Sequence, residues 1–225
     1  MKMTVSLLEK FAWYSSCPPS WKDQAMQDLK DSLVKGFTGS VATERGALYE
    51  ARVNKILFSN GQLYGIEEPL NILKGMAQQK WINPLTVSVQ LGKNKLDFTF
   101  RGKMDYFGKL ADTKIMPEGW EDQVVIADLK TTSSAKVSQK RYASSWQHVV
   151  YCLAANVPFF SYFVAHFDSD TTLDPDSLSV FPMRLSKTLD AERAELTDFV
   201  KELVMFLKAY NLWDDYFKVF NGGQP

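Results

Sequence analysis

The chain has 225 residues, of which 45% are hydrophobic and 13% aromatic, and its formal net charge at pH 7 is zero. This length and composition suit one globular domain with a well-formed core. No apolar run is long enough to cross a bilayer, and the amino terminus lacks the pattern of a secretory signal. We therefore expect a cytoplasmic protein that does not associate with membranes.

The neutral total charge conceals an uneven distribution along the chain. Residues 93–114 contain six basic and three acidic side chains, whereas residues 168–215 are predominantly acidic. A basic middle segment can attract phosphate, although the same charges are also typical of solvated surfaces. The two cysteines, Cys17 and Cys152, are too few for a four-cysteine iron–sulfur cluster, so we expect no cofactor of that kind.

The first part of the chain, about residues 1–80, has the apolar spacing of helices. A helix capped by Ser6 should end before the Cys17-Pro18 break, and a second should begin at Ser20 and end at Gly36. A third should open at Ser40 or Thr43 and close near residue 59, followed by a short helical stretch at 72–79.

The period then changes from helix to strand. Residues 85–90 and 96–100 alternate between apolar and polar around a turn at Gly92, which predicts a hairpin, and 102–107 prolong it or start another strand. Residues 124–129 form a nearly continuous apolar run, typical of a central strand. We predict a helix at 138–155, strands at 159–167 and 179–185, and a helix at 190–210.

This order predicts one α/β domain over residues 1–225, with a central mixed β-sheet flanked by helices. Its core should span about 40–185, and a helical tail about 190–220.

A carboxylate and an ammonium stand two residues apart in the sequence Asp128-Leu129-Lys130, at the end of the apolar run. In an extended strand this spacing points both side chains to the same face. The acid can hold a cation and the lysine can face a phosphate. Taken alone, the pattern is more typical of a solvated strand end with an incidental ion pair.

Two further acids occur in the preceding elements. Glu50 lies in the third predicted helix and Asp105 follows the hairpin. Three carboxylates supply the hard oxygen ligands that Mg²⁺ or Mn²⁺ prefers, and such an ion can neutralise a phosphate and lower the pKa of a bound water. A nearby lysine can orient that water or stabilise the developing charge. The pattern predicts metal-assisted phosphodiester hydrolysis.

Together, four motifs resemble those of the PD-(D/E)XK nuclease superfamily, in its RecB-like and lambda-exonuclease-like branches. They span residues 45–151, and residues 6–21 are also similar to the helix and Cys-Pro turn of RecB-like members. The matching motifs are Gly46-x-x-Tyr49-Glu50, Asp105, Asp128-x-Lys130 and Gln147-x-x-x-Tyr151. Tyr49 stands where many RecB-like nucleases have a metal-binding histidine, so the chain lies between the two branches.

The resemblance implies a restriction-endonuclease-like core that binds one or two Mg²⁺ or Mn²⁺ ions. It implies that Lys130 is the catalytic lysine and that Gln147 and Tyr151 contribute to the site or contact DNA. The implied metal ligands are Glu50, Asp105, Asp128 and the carbonyl of Leu129.

Structural roles account for the same residues one at a time. Tyr151 also suits a core position, Gln147 a brace for a neighbouring strand, and Asp105 a local pair with Lys103. Gly46 also suits close packing of a helix on the sheet, and Glu50 a solvated helix surface. The tryptophans either stack on unpaired bases or belong to the core; they are Trp13, Trp21, Trp81 and Trp146.

The motifs predict a metal-dependent DNA nuclease, and specifically an exonuclease in recombination, repair or phage replication. It would act on duplex ends or single strands in a bacterial or phage-infected cytosol. Phage-type members of the family often form rings and work with a single-strand annealing protein; the resemblance leaves open an oligomer, and a single-strand annealing or other recombination protein as partner, for this chain. Two other functions stay open, namely a catalytically silent nucleic-acid-binding or assembly module of the same fold and a general α/β interaction domain.

Overall fold

The computed structural model describes residues 1–34, 41–134, 137–169 and 172–221. Two 3₁₀-helices, Pro19–Trp21 and Gly65–Leu73, lie among the regular elements. The α-helices are α1 (Val5–Ser16), α2 (Lys22–Val34), α3 (Val41–Phe58), α4 (Gln139–Ala143), α5 (Trp146–Ala155), α6 (Leu189–Ala209) and α7 (Trp213–Asn221). The strands are β1 (Lys2–Met3), β2 (Ala77–Trp81), β3 (Leu85–Leu91), β4 (Asn94–Phe100), β5 (Lys103–Lys109), β6 (Val124–Thr132), β7 (Phe159–His166) and β8 (Ser177–Arg184).

These strands form two sheets. The larger has the order β2-β5-β6-β7-β8, in which β6 and β7 are parallel and the other neighbours antiparallel. The smaller has the order β1-β4-β3. The predicted mixed α/β class and the predicted hairpin, β3–β4, are confirmed. The hairpin does not join the central sheet, however, because it pairs with the two-residue strand β1 near the amino terminus.

The larger sheet is covered on both faces. One face packs on α3 and the 3₁₀-helix at Gly65–Leu73, and the other packs on α1, α5, α6 and the smaller sheet. Strand β6 is central and buried on both faces. Val125, Ala127 and Leu129 point to the α3 face, while Ile126 points to the α5 face. Because side chains alternate along a strand, Asp128 and Lys130 follow Ile126 onto the α5 face.

Several element boundaries differ from the predictions. The helix expected at 72–79 is wrong, since the 3₁₀-helix ends at Leu73 and β2 follows. The helix expected at 138–155 divides into α4 and α5, because Ser145 is extended and caps α5 by accepting a hydrogen bond from the amide of Gln147 (3.1 Å). Strand β6 continues to Thr132, three residues beyond its predicted end. The predicted helix end at Gly36 and the alternative start at Ser40 lie outside the described residues.

Within the described ranges, the helices are all too short or too polar to span a bilayer.

Candidate active site

Asp128 lies in the central strand and is only 2% exposed. Its Oδ1 accepts a hydrogen bond from Nε2 of Gln147 (2.7 Å), and its Oδ2 lies 2.7 Å from Nζ of Lys130. The Lys130 side chain keeps 36% of its surface exposed. The Asp-x-Lys pair is therefore held from behind by α5, while its lysine reaches solvent.

Asp105 lies where β5 separates from β6. The pairing of these two strands ends at Tyr106 and Ala127, although β6 continues for five more residues. Beyond that pair, Oδ2 of Asp105 accepts a hydrogen bond from the amide of Leu129 (2.9 Å). This side-chain bond replaces the missing backbone pairing and fixes the carboxylate beside Asp128.

Glu50 reaches the same place from α3, on the opposite face of the sheet. A Cβ atom at Gly46, one turn earlier in α3, would lie 2.8 Å from Oγ1 of Thr131 in β6. The missing side chain at Gly46 thus lets α3 cross β6 closely and carries Glu50 to the gap between β5 and β6.

Two polar side chains hold the Glu50 carboxylate. Its Oε1 accepts hydrogen bonds from Nδ2 of Asn54 (3.5 Å) and from Nε2 of Gln79. Asn54 in turn accepts a hydrogen bond from the Tyr106 hydroxyl (2.5 Å). Gln79 has a positive φ of 52°, which is uncommon for a non-glycine residue within a strand.

The three carboxylates repel one another. Burial, with the charges of Asp128 and Glu50, raises the pKa of Asp105 to about 8. Burial and the Asp128 charge also raise the pKa of Glu50, against the lowering effect of its hydrogen bond from Asn54. Burial lowers the pKa of Lys130, but the Asp128 carboxylate outweighs it and raises that pKa above its ordinary value.

The donor set fits a divalent cation. When ionised, Glu50, Asp105 and Asp128 carry three negative charges, whereas Lys130 supplies one positive charge. The raised pKa values of Asp105 and Glu50 express this imbalance. A cation with hard oxygen ligands would offset the two remaining charges.

Helix α5 contributes two side chains one turn apart. Gln147 donates the hydrogen bond to Asp128. The Tyr151 hydroxyl packs against Gly102, and a Cβ atom added to Gly102 would lie 2.8 Å from that hydroxyl oxygen. Burial and the Asp128 charge raise the pKa of Tyr151 to about 12, so this phenol is neutral at physiological pH. Tyr151 is half-buried against the core, so it combines the packing role and the site-facing role considered from the sequence.

The amino terminus of α5 is fixed by a residue that the sequence did not single out. Oε1 of Glu9, in α1, accepts hydrogen bonds from the Ser145 hydroxyl (2.7 Å) and from the amides of Trp146 and Gln147. Burial raises the pKa of Glu9. Glu9 thus ties α1 to the helix that carries Gln147.

The structure brings together Glu50, Asp105, Asp128, Leu129, Lys130, Gln147 and Tyr151. Tyr49, the motif neighbour of Glu50, is fully buried and packs edge-on against Phe167, with ring centroids 5.2 Å apart. The supporting residues missed from the sequence are Glu9, Asn54 and Gln79. Of these only Asn54 has a local signal, because it lies four residues after Glu50 and therefore on the same helix face.

The basic middle segment is partly neutralised by local ion pairs. Three of its lysines lie within 4.0 Å of carboxylates: Lys95 near Asp97 (3.9 Å), Lys109 near Asp122 (3.1 Å) and Lys114 near Asp112 (3.4 Å). Asp105 instead bonds to the amide of Leu129, and its alternative pairing with Lys103 does not occur among the described residues.

A second group of possible metal ligands lies at the end of β7. Nε2 of His166 is 3.5 Å from Oδ1 of Asp168, and ligand atoms of His166, Asp168 and Asp176 lie within 4.8 Å of one another. Both aspartates are exposed.

Comparison with known proteins finds similar solved structures, whereas no family model and no curated protein matches the chain. A phage-related exonuclease from Haemophilus somnus 129PT is 13% identical, with a TM-score of 0.47 over 92% of this chain and 96% of that one. An alkaline exonuclease from Laribacter hongkongensis is 13% identical, with a TM-score of 0.46 over 93% and 91%.

The protein SSO0001 is 11% identical, with a TM-score of 0.48 over 91% of this chain and 76% of that one. Two of these three proteins are exonucleases, the class that the motifs of this chain resemble. Identities of 11 to 13%, with TM-scores below 0.5, do not by themselves transfer an activity to this chain.

Proposed function

We propose that this protein is a divalent-metal-dependent deoxyribonuclease, and an exonuclease by the resemblance of its motifs. One observation carries the proposal. Carboxylates from α3, β5 and β6 meet beside Lys130 at the point where β5 and β6 separate. Repulsion among acids from three different elements destabilises the folded protein, whereas a bound metal ion would offset it. The cluster is therefore typical of a metal-binding site.

The residues that would hold the cation are Glu50, Asp105, Asp128 and the carbonyl of Leu129. When bound, such an ion supplies charge neutralisation at the scissile phosphate and a bound water of lowered pKa. The donors fit Mg²⁺ or Mn²⁺ because they are all oxygen atoms.

The remaining roles at the site belong to side chains of the protein. Lys130 is protonated at neutral pH because Asp128 raises its pKa, so it acts as a donor that orients the attacking water or offsets charge on the phosphate. Gln147 fixes one oxygen of Asp128, which leaves the other directed towards Lys130. Asn54 and Gln79 hold Glu50 in place from the other side.

Release of nucleotides from end-labelled linear DNA tests this function. We expect release in Mg²⁺ or Mn²⁺ and none in EDTA. The matched substrate is a covalently closed circle of the same sequence, which an exonuclease leaves intact. Cleavage of the circle would contradict the exonuclease assignment, whereas failure to cleave either substrate with any divalent ion would contradict the nuclease itself.

A further inference from the structure

An exposed tryptophan lies at the end of the edge strand nearest the acids. Trp81, the last residue of β2, is 64% exposed. Its backbone partner across the sheet is Lys103, whose Nζ lies 5.2 Å from the centroid of the Trp81 ring. Arg101, two residues before Lys103, is also exposed. We call Trp81, Arg101 and Lys103 the Trp81 surface.

The Trp81 surface is positively charged. Within the described part of the chain, neither of its two basic side chains has a carboxylate within 4.0 Å, in contrast to the paired lysines at positions 95, 109 and 114. Lys103 lies over the Trp81 ring instead. Unpaired cations around an exposed aromatic ring complement an anionic ligand that has flat faces.

Two contacts connect this surface to the acid cluster. Gln79, two residues before Trp81, donates its hydrogen bond to Glu50. Gly102 separates Arg101 from Lys103, accepts a hydrogen bond from the amide of Ile82 (2.9 Å) and abuts the Tyr151 hydroxyl. Through Gln79 and Gly102, the surface adjoins the acid cluster.

We propose that the Trp81 surface binds single-stranded DNA, with a base stacked on Trp81 and the flanking phosphates near Arg101 and Lys103. An unpaired base presents a free ring face to Trp81, whereas a base within a duplex is already stacked on its neighbours. This inference rests on the proposed function, because it identifies the form of DNA presented to the same acids.

Binding of a fluorescein-labelled single-stranded oligonucleotide tests the proposal without cleavage, in EDTA and at fixed salt. Trp81→Ala should weaken binding about five- to a hundredfold, the range found when a stacking aromatic residue is removed. Trp81→Phe should retain most of the affinity. Trp21→Ala is the matched control, because Trp21 is 55% exposed and lies in the 3₁₀-helix Pro19–Trp21, which is not part of the larger sheet.

The proposal is overturned if the wild-type protein does not bind the single strand, if Trp81→Ala binds like the wild type, or if Trp21→Ala loses as much affinity. An equal loss on a blunt duplex would also contradict base stacking. The proposed nuclease and the proposed binding surface can be contradicted independently of each other. A chain that binds through Trp81 but never cleaves would contradict the nuclease and leave this surface standing, whereas a cleaving enzyme indifferent to Trp81 would contradict only the surface.

Discussion

The carboxyl group of Asp105 shows at the scale of one residue what the site does to its own acids. Its pKa is raised from an ordinary 3.8 to about 8 by burial and by the charges of Asp128 and Glu50. The folded protein therefore retains a proton on Asp105 at pH values where the unfolded chain has released it. Stability from this group is fully present below about pH 3.8 and is lost as the pH rises towards 8.

Replacement of Asp105 by asparagine should remove this pH dependence. Asparagine mimics the protonated acid and still accepts the amide hydrogen bond of Leu129. In EDTA, Asp105→Asn should therefore gain free energy of unfolding relative to the wild type between pH 5 and pH 8, by at least about 1 kcal/mol. Urea unfolding at several pH values measures this difference in the free energy of unfolding.

The control is Asp122→Asn, whose exposed carboxylate pairs with Lys109. The free energy of unfolding of Asp122→Asn should change with pH in the same way as that of the wild type. A difference between Asp105→Asn and the wild type that did not change with pH would show that Asp105 is ionised in the folded protein.

At the scale of elements, the site depends on how closely α3 crosses β6. Alanine in place of a helical glycine ordinarily stabilises a protein by about 1 kcal/mol. At Gly46 the added Cβ atom would meet Oγ1 of Thr131 at 2.8 Å. We expect Gly46→Ala to destabilise the protein by about 1 to 3 kcal/mol, the usual effect of overpacking, and to slow cleavage by displacing Glu50.

The double variant Gly46→Ala/Thr131→Ala isolates this contact. Removing Oγ1 makes room for the new methyl group, so both stability and cleavage should recover towards the values of Thr131→Ala alone. Urea unfolding and nucleotide release, measured on the four proteins of the cycle, give the coupling between the two positions. Additive effects would mean that the helix does not rely on close packing at Gly46.

Elements with a strong local period were predictable from the sequence, and those fixed by distant contacts were not. Alternation identified the hairpin β3–β4, and the apolar run identified β6. Strand β1 has two residues and exists because β4 offers it an edge, which no local pattern reports. The break between α4 and α5 depends on the Ser145 cap, and Glu9 reinforces that cap from 136 positions away.

In the candidate site, too, some residues have a local sequence signal and others depend on distant contacts. Its acids and lysine stand out because their chemistry recurs in consecutive elements. The side chains that hold them, Glu9 and Gln79, were missed because their partners, Ser145 and Glu50, lie far away in sequence. Sequence reasoning therefore supplied the candidate reacting groups, and the structure supplied the side chains that hold them.

At the scale of the whole molecule, the larger sheet separates two hydrophobic cores. Helix α3 packs on one face and α5 on the other, and the carboxylates from the two sides meet where β5 leaves β6. The Trp81 surface lies at the edge strand β2. DNA would thus approach from the β2 edge and reach the acids without passing through either core.

The rate of nucleotide release by Asp128→Asn, compared with the wild type in Mg²⁺, tests the central claim most directly. Loss of the buried carboxylate should slow cleavage of end-labelled linear DNA at least about a hundredfold, or roughly 3 kcal/mol in the barrier, while Asp122→Asn cleaves like the wild type. Unchanged cleavage by a folded Asp128→Asn would contradict the assignment of the metal site to these acids.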